Sequence, residues 1–345
     1  MSLVNILRKK HSKTLFTTPS HGGKLFIFPK LRQLYRLDIS EIDCCNPRDE
    51  LEKSQTRATQ IYGTQQTLYL TNGSTSGVIA AVLSCVKPGE KVLIWKDSHP
   101  CHKNAVLLAG AIPEFYDTAM DENWGISLAV DCDLIENKLK KDKFSAVIVT
   151  SPTYEGIVSD TKRLCDICHK HDTYLIVDEA HGALYPFFDE LPESAVKIAD
   201  FTVQSLHKTA GGLNSTALLH NNTRIDARKA LSIINTTSPS YPMLASIEKN
   251  INFLNSSSGR KIFKKLINNI NETVKKANCE IFNPDITKLN IRVEGKSGYE
   301  VSEILYEKYN IEDERTNEKS TMCLCGIGTT ELMIKHLSQA LRSIK

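Results

Sequence analysis

The sequence predicts an α/β protein with a mostly parallel central sheet and helices on both of its faces. Two observations support this fold class. Between about residues 60 and 220, short runs of mostly apolar residues alternate with stretches of helical pattern. Several of the runs are almost continuously apolar, which is typical of strands buried on both faces. Strands and helices that alternate in this way form a layered sheet with crossover helices.

Six strands are predicted in this region. They are 66–71, 91–95, 144–150, 174–180, 201–205 and 215–220. The stretches Ser76–Val86 and Lys162–His171 have a suitable length for crossover helices. Clusters of polar residues (TNGSTSG, SPTYEG, DEAHG and SLHKTAGG) follow the strands directly. Since ligands of open α/β sheets bind outside the carboxyl ends of the strands, these clusters predict one composite site.

Beyond about residue 240 the pattern changes, which predicts a smaller C-terminal α+β domain. Its segments are helices at 243–254 and 260–277, a strand-like stretch at 288–295, and helices at 299–308 and near 329–344. A Ser/Gly-rich break at Ser256–Gly259 separates the first two helices. The predicted division is an N-terminal arm (1–35), a large α/β domain (36–255) and a small α+β domain (256–345).

Composition and charge favour a cytoplasmic globular protein. The 345 residues are 41% hydrophobic and 24% charged, and the formal net charge of +3 is too small to suggest nucleic-acid binding. The first ten residues contain no apolar core of signal-peptide length, and no run of about 18 apolar residues predicts a membrane span. Ten cysteines without an export signal are expected to be reduced thiols.

One cysteine cluster resembles a haem-attachment motif, but a structural role is favoured. Cys165, Cys168 and His169 match the C-x-x-C-H pattern. They lie in a helical stretch between two predicted strands, where Leu164 and Ile167 would face the core together with Cys168. We therefore predict no metal or haem site there.

Two residues at the ends of apolar runs suggest the chemistry of an aldehyde cofactor: Lys208 directly follows a predicted strand, and Asp178 ends the run YLIVD. Lys208 could form an imine with such a cofactor, because partial burial would lower its pKa and supply the nucleophilic amine. Asp178, about 30 residues earlier, could bond the pyridine nitrogen of pyridoxal 5′-phosphate (PLP) and keep it protonated. Taken alone, each signal is weak, since a lysine after a strand is usually a surface residue and an aspartate often caps a turn.

The segment Thr71–Gly77 has the character of an anion-binding loop between a strand and a helix. Small residues let the backbone approach an anion, and the N–H groups at a helix N-terminus favour phosphate. Three hydroxyls could add donors: Ser74, Thr75 and Ser76. An ordinary Ser/Thr N-cap is the alternative. The chain contains neither G-x-x-x-x-G-K-[ST] nor G-x-G-x-x-G, so the loop is not of the usual ATP or NAD type.

A histidine after the strand 91–95 could stack on a cofactor ring and hydrogen-bond a substrate carboxylate. His99 is the first candidate and His102 the alternative. Phosphate loop, histidine, strand-end Asp178 and Lys208 follow one another in the order found in fold-type-I PLP enzymes.

These motifs make the sequence similar to a known family. It resembles the prokaryotic ornithine/lysine/arginine decarboxylases of fold type I over essentially its whole length. The corresponding segments are Thr18–Lys24 (for T-P-G-H-K-G-G), Thr71–Thr75, Pro152–Gly156, Asp178–Ala183 (D-E-A-H-G-A), Gln204–Thr209 (Q-S-x-H-K-T) and Ser238–Pro242 (S-P-S-Y-P). The resemblance implies the fold-type-I PLP-dependent transferase-like fold.

The resemblance also implies roles for individual residues. Lys208 would be the Schiff-base lysine, and Asp178 would bind the pyridinium nitrogen. The phosphate would be held by Ser74, Thr75, Ser205 and His207. Ser76 is a further candidate contact. In the family, the stacking histidine lies eleven residues before the Gly of an S-G-A stretch. The corresponding glycine here is Gly110, so the resemblance selects His99 over His102 as the stacking residue.

Further residues complete the implied site. Ala180 would pack against the other face of the ring, and His181 belongs to the same cofactor-binding motif. Thr237 and Ser238 would reach a neighbouring subunit, since family sites lie at a dimer interface. The implied partners are therefore a small amino acid substrate and at least a second copy of the chain.

The function implied is PLP-dependent decarboxylation of arginine, lysine or ornithine. Departures from the family pattern are Ser20 and Gly22 in the first motif, Pro100-Cys101 after the stacking His, and the end of the chain at Lys345, where typical members continue into a further domain. One alternative is an aminotransferase or other lyase, with Arg292 binding the substrate carboxylate. Another is a shortened non-catalytic paralogue that partners a full-length decarboxylase. The sequence does not identify the acidic group for the substrate's distal cation.

Overall fold

The computed structural model of the chain describes residues 14–16, 49–236 and 239–344. The helices are α1 (Asp49–Tyr62), α2 (Gly73–Cys85), α3 (Cys101–Leu108), α4 (Cys132–Lys141), α5 (Thr161–Lys170), α6 (Arg228–Ile234), α7 (Tyr241–Leu254), α8 (Ser257–Lys276), α9 (Gly298–Tyr309) and α10 (Glu331–Ser343). The strands are β1 (Thr14–Leu15), β2 (Gln66–Leu70), β3 (Lys91–Trp95), β4 (Ile112–Tyr116), β5 (Met120–Asp121), β6 (Ile126–Ser127), β7 (Ala146–Thr150), β8 (Tyr174–Asp178), β9 (Phe201–Ser205), β10 (Ala217–Asn221), β11 (Glu280–Phe282), β12 (Lys288–Arg292), β13 (Ile311–Glu312), β14 (Arg315–Thr316) and β15 (Thr321–Leu324).

A seven-stranded sheet in the order β2-β10-β9-β8-β7-β3-β4 forms the centre of the molecule. Strands β9, β8, β7, β3 and β4 pair in parallel, whereas β10 is antiparallel to both of its neighbours. The prediction of a mostly parallel sheet is therefore confirmed. Because the parallel strands share one direction, the segments that follow β3, β7, β8 and β9 all start at the same edge of the sheet.

All six predicted strands are present, with ends that differ by a few residues. The sequence reading missed β4, the edge strand next to β3. Its sequence IPEFY contains Pro113, and most of its side chains are partly or fully exposed. Since proline and exposed side chains are typical of edge strands, a search for continuous apolar runs does not find such a segment.

Helix α2 lies unusually close to the sheet, and Gly77 permits this. A Cβ atom at Gly77 would lie 2.7 Å from Val203 Cγ1 and 2.8 Å from Leu70 Cδ1, closer than real Cβ atoms approach other atoms. The glycine therefore lets the helix backbone pack directly on β9 and β2. This contact sets the N-terminus of α2, with Ser74 and Thr75, at the carboxyl edge of the sheet.

A second, antiparallel sheet follows in the C-terminal part, in the order β11-β12-β15-β14. Residues Thr14–Leu15 pair in parallel with Ile311–Glu312 and thus connect the first described segment to this region. The two parts share apolar packing, since the rings of Phe188 and Phe263 stack at a centroid distance of 4.0 Å. The domain boundaries at 35 and 255 stay predictions, and most of the predicted arm lies outside the described residues.

Candidate active site

A cavity of about 310 Å³ opens at the carboxyl edge of the central sheet. Its wall is formed by the segments that follow β2, β3, β7, β8 and β9. Most of the site residues predicted from the sequence line it: Ser74, Thr75, His99, Asp178, Ala180, His181, His207 and Lys208. Five separate segments of the chain thus contribute to one site, as the clusters of polar residues predicted.

Two predicted residues do not line the cavity, and a third lies outside the described residues. Ser76 is buried in α2 and its hydroxyl donates to the Gly73 carbonyl (2.8 Å), so it points along the helix instead of lining the cavity. Ser205 is fully buried at the end of β9, and its Oγ has no partner within the described residues. Thr237 lies outside the described residues. The roles of all three stay predictions.

Asp178 is a buried carboxylate that is held ionised by a histidine. His102 Nε2 donates to Asp178 Oδ2 (2.9 Å), and the Ala180 N–H donates to Oδ1 (3.1 Å). Burial alone would raise the pKa of Asp178, but the His102 hydrogen bond and the positive charge of Lys208 outweigh it and lower the pKa. A negative charge is therefore maintained at the end of β8.

Lys208 lies in the same cavity and has a pKa below its ordinary value. Burial lowers this pKa, and the carboxylate of Asp178 only partly opposes the effect. Its Nζ donates to His181 Nε2 (2.8 Å). Burial and the charge of Lys208 also lower the pKa of His181 well below the usual range, so this imidazole is neutral and accepts the bond. The amine of Lys208 is thus oriented, and it loses its proton more readily than an exposed lysine does.

The geometry at His99 determines which of its ring nitrogens carries the proton. The backbone N–H of Cys101 donates to His99 Nδ1 (3.2 Å), so Nδ1 acts as an acceptor. Partial burial lowers the pKa of His99, which favours the neutral ring. The proton is therefore on Nε2, and this N–H can donate to an acceptor in the cavity.

The first turn of α2 forms one end of the cavity. Gly73 has a φ of +76°, and its N–H donates to the Ser215 carbonyl (2.7 Å), which fixes the turn before Ser74 and Thr75. No acidic residue occupies this first turn. The positive end of a helix, beside two hydroxyl side chains, is a suitable environment for a phosphate group.

Two features favour a role other than metal binding for the cluster of Cys101, His102 and Asp178. Ligand atoms of Cys101, His102 and Asp178 lie within 4.8 Å of one another, which is close enough for a metal ion. However, burial raises the pKa of Cys101 to about 12, so the thiol keeps its proton and is a poor ligand. The hydrogen bond between His102 and Asp178 already uses the other two groups.

The cysteine cluster singled out in the sequence lies in α5. Leu164, Ile167 and Cys168 face the core, as predicted. Cys165 Sγ donates to the Ile198 carbonyl (3.1 Å), and His169 Nε2 contacts the carboxylate of Asp200 (3.1 Å). These contacts explain the residues by packing and local hydrogen bonding.

Comparison with known proteins identifies the family. The model of the family described as Orn/Lys/Arg decarboxylase, major domain, matches residues 16–293. The chain belongs to this family. An arginine decarboxylase of Halalkalibacterium halodurans is 28% identical over 97% of this chain and 75% of its own length. An ornithine decarboxylase of Haemophilus influenzae is 24% identical over 79% of this chain and 45% of its own length.

Solved structures show the same fold. The lysine decarboxylase of Francisella novicida superimposes with a TM-score of 0.80 at 17% identity, covering 93% of this chain and 54% of its own. This chain thus spans about half the length of that protein. A ureidoglycine-glyoxylate aminotransferase of Bacillus subtilis superimposes with a TM-score of 0.72 at 14% identity, covering 96% and 92%. Decarboxylases and aminotransferases share this fold, so the fold alone does not determine the reaction.

The cavity of this family member fits the PLP that the resemblance implies. Trp95 Nε1 and Thr150 Oγ1 belong to residues that line the cavity, and both are buried without a hydrogen-bond partner within the described residues. Buried polar atoms are normally paired, so unpaired ones around a cavity indicate a polar ligand. Together with the anion-binding turn and the Asp178 carboxylate, they match a molecule that has a phosphate and a basic ring nitrogen.

Sequence reasoning missed the roles of two residues. His102 was considered only as an alternative to His99, whereas the structure places it behind Asp178 as its hydrogen-bond donor. Its spacing carried the signal, because His102 shares one helical face with Ala105 and Val106, and this face is the buried one. Tyr154 lines the cavity, and its ring contacts His181 (4.5 Å) and lies under Lys208 Nζ (5.3 Å).

Arg292, the candidate carboxylate-binding residue of the aminotransferase alternative, does not line the cavity. Its guanidinium lies over the Trp124 ring (5.3 Å) and contacts Glu280 (3.4 Å). Among the described residues, no arginine lines the cavity wall. The aminotransferase alternative therefore loses its candidate carboxylate-binding residue.

Glu179, next to Asp178 in the D-E-A-H-G-A motif, is a second buried carboxyl group. It accepts hydrogen bonds from the Ser194 hydroxyl (2.8 Å) and the Ala195 N–H (2.9 Å). Burial nevertheless raises its pKa from 4.5 to about 8. The group is therefore protonated at neutral pH and points away from the cavity into the core.

This raised pKa predicts a pH-dependent stability. A carboxyl group whose pKa is higher in the folded than in the unfolded state makes its full contribution to stability at pH values below the pKa of the unfolded state. This contribution is lost as the pH rises from there through the pKa of the folded state. Between pH 4.5 and about 8, the free energy of unfolding should fall by as much as about 4 kcal/mol relative to Glu179→Gln. Urea unfolding of both proteins at several pH values measures the difference, and a pH-independent difference would contradict the assignment.

Proposed function

We propose that this chain is a PLP-dependent decarboxylase of a basic amino acid, with arginine, lysine and ornithine as the candidate substrates. The observation that carries the proposal is the meeting of Lys208 and Asp178 in one cavity of a chain that belongs to the Orn/Lys/Arg decarboxylase family. The products are CO2 and the corresponding amine.

The residues of the cavity would hold PLP at three points. The first turn of α2, with Ser74 and Thr75, and the side chain of His207 would bind the phosphate. Asp178 would accept a hydrogen bond from the protonated ring nitrogen, while His99 and Ala180 would cover the two faces of the ring. When bound, PLP supplies an electron-withdrawing ring that accepts the electron pair released as the carboxylate leaves.

Asp178 keeps its negative charge throughout, because His102 and the Ala180 N–H bind both of its oxygens. An ionised carboxylate at this position holds a proton on the ring nitrogen and so maintains the positive charge that the reaction needs. A neutral carboxyl group could not do this. The pair His102–Asp178 is therefore the electrostatic basis of the proposed activity.

The amine of Lys208 would act both as the nucleophile and as a proton carrier. Its pKa lies below the ordinary lysine value, so Nζ gives up its proton more readily than an exposed lysine, and His181 Nε2 holds the amine in place by accepting a hydrogen bond. The same Nζ can later return a proton to the Cα atom of the product. His99, whose Nε2 carries the proton, can donate to a substrate carboxylate oxygen.

The substrate's distal cation needs a carboxylate partner, and Asp97 is the residue we expect to provide it. Asp97 and Asp178 are the acidic residues of the described cavity wall. Asp178 is already bound to His102, whereas Asp97 is exposed at the mouth of the cavity. Relatives named arginine and ornithine decarboxylase support a basic substrate but do not distinguish its length.

The proposal includes the cellular setting expected from the sequence. We expect a cytoplasmic enzyme that acts as a homodimer or a higher homo-oligomer. None of the described helices combines the length and apolar character needed to cross a bilayer.

The decarboxylase activity is tested by measuring CO2 release. The PLP-loaded protein should release CO2 from at least one of arginine, lysine and ornithine, and Lys208→Ala should reduce the rate by at least about 1000-fold because nucleophile and proton carrier are both lost. Conversion of the amino acid to a keto acid without CO2 would support the aminotransferase alternative instead. A PLP-loaded, folded protein that converts none of the three would contradict the proposal.

The role of His102 predicts a weaker and more pH-dependent cofactor affinity in His102→Phe. Without the His102 hydrogen bond the pKa of Asp178 rises, so its charge is lost as the pH falls. A hydrogen bond to a charged group contributes about 1.5–3 kcal/mol, which corresponds to about a 10-fold or greater loss of PLP affinity. Absorbance titrations at pH 6 and pH 8 measure the loss, which should be larger at pH 6. Lys103→Ala, an exposed change in the same helix, is the control, and equal affinity of His102→Phe and wild type would contradict this role.

A further inference from the structure

Behind His181 lies a fully buried ion pair that the proposed reaction does not use. Lys288, the first residue of β12, and Asp285 are both completely buried. Lys288 Nζ donates to Asp285 Oδ2, to the His181 carbonyl (3.0 Å) and to Thr287 Oγ1 (3.2 Å). An ammonium group has three N–H donors, so each of them has an acceptor.

The oxygens of Asp285 are satisfied as well. Tyr185 Oη donates to Asp285 Oδ2 (2.7 Å), and the N–H and hydroxyl of Thr287 donate to Oδ1 (2.8 and 2.6 Å). Burial would raise the pKa of Asp285, but the charge of Lys288 and these donors lower it. The carboxylate of Asp285 therefore keeps its charge, and the pair is closed to solvent.

The pair touches the candidate active site through two segments. Lys288 binds the backbone carbonyl of His181, whose ring accepts the hydrogen bond from Lys208 Nζ at 2.8 Å. Gly156, in the same loop as Tyr154, has a φ of +96°, and a Cβ there would lie 2.9 Å from both Asp285 Cβ and Lys288 Cδ. The wall that carries His181 and Tyr154 thus packs directly on the pair.

Stability alone does not account for this arrangement. Removing two charges from water costs several kcal/mol for each ion, and well-packed apolar residues of similar volume often stabilise a protein equally well or better. An apolar pair, however, offers no donor to the His181 carbonyl. The contact that distinguishes Lys288 from an apolar side chain is therefore its bond to the active-site backbone.

We propose that Lys288, held by Asp285, is a positioning residue for Lys208. It fixes the backbone of His181 so that the imidazole stays within hydrogen-bonding distance of the Lys208 amine. The C-terminal part of the chain, through the start of β12, thereby controls the orientation of the reactive lysine. The inference rests on the proposed function only in treating Lys208 as the reactive lysine.

The experiment uses the protein without PLP, so that its result does not depend on decarboxylation. Reductive methylation with formaldehyde and cyanoborohydride, followed by mass spectrometry of the Lys208 peptide, measures the apparent pKa of this amine. Urea unfolding of the same samples measures stability. The variants are Lys288→Met, the charge-neutral double variant Asp285→Asn/Lys288→Met, and Thr287→Val, which keeps the Lys288 contact with His181.

The expected results separate positioning from stability. Lys288→Met should be the least stable variant because it leaves the charge of Asp285 buried and unpaired, and the double variant should recover most of that loss. In the double variant the apparent pKa of Lys208 should still be about one unit lower than in wild type, because its charged form loses a well-placed acceptor. Loss of the Lys288 charge alone would raise this pKa, but the double variant removes the neighbouring Asp285 charge as well, so the two direct electrostatic effects largely cancel. Thr287→Val should lower stability and leave the pKa of Lys208 unchanged.

A folded double variant with an unchanged pKa of Lys208 would overturn the proposal and leave the pair a purely structural element. Should the double variant not fold, His181→Ala provides the second test. The proposed connection passes through His181, so its loss must lower the pKa of Lys208 by a similar amount, and no change would also overturn the proposal. A shifted pKa in a protein that releases no CO2 would support positioning while contradicting the proposed function.

Discussion

The parallel pairing of β8 with β9 is the constraint on which the site depends. Asp178 ends β8, and Lys208 follows three residues after the end of β9. Parallel neighbours lie about 4.8 Å apart and end at the same edge of the sheet, so residues 30 positions apart in sequence share one cavity. Helix α2, which packs on β9 at Gly77, brings an anion-binding turn to the same edge. The cavity thus follows from the topology of the sheet.

Buried polar groups near the cavity differ in whether the chain itself supplies their hydrogen-bonding partners. The buried Asp285–Lys288 pair and Glu179 are bound by donors and acceptors of the chain itself. Thr150 Oγ1 and Trp95 Nε1 are buried without such a partner among the described residues, and both residues line the cavity. Because unpaired buried polar atoms are unfavourable, their position beside one cavity supports a polar cofactor there.

Much of this organisation can be predicted from the sequence, and the exceptions have physical reasons. Continuous apolar runs identify the buried strands, and small or polar residues after them identify the cavity wall, including His99 and Lys208. The runs do not reveal β4, whose side chains are half exposed, or the antiparallel direction of β10. They also do not reveal Asp285 and Lys288, because a charged residue in an otherwise unremarkable segment is expected at the surface. Only the three-dimensional packing shows that these two charges meet inside the protein.

The most direct test of the central claim is to locate the bond between the chain and its cofactor. Borohydride reduction of the PLP-loaded protein makes an imine permanent, and peptide mapping by mass spectrometry then identifies the modified lysine. The account predicts one pyridoxyl group per chain, on Lys208, and a strongly reduced yield in Asp178→Asn because the ring nitrogen loses its partner. Modification of several surface lysines to a similar extent, or a single modified lysine other than Lys208, would contradict it.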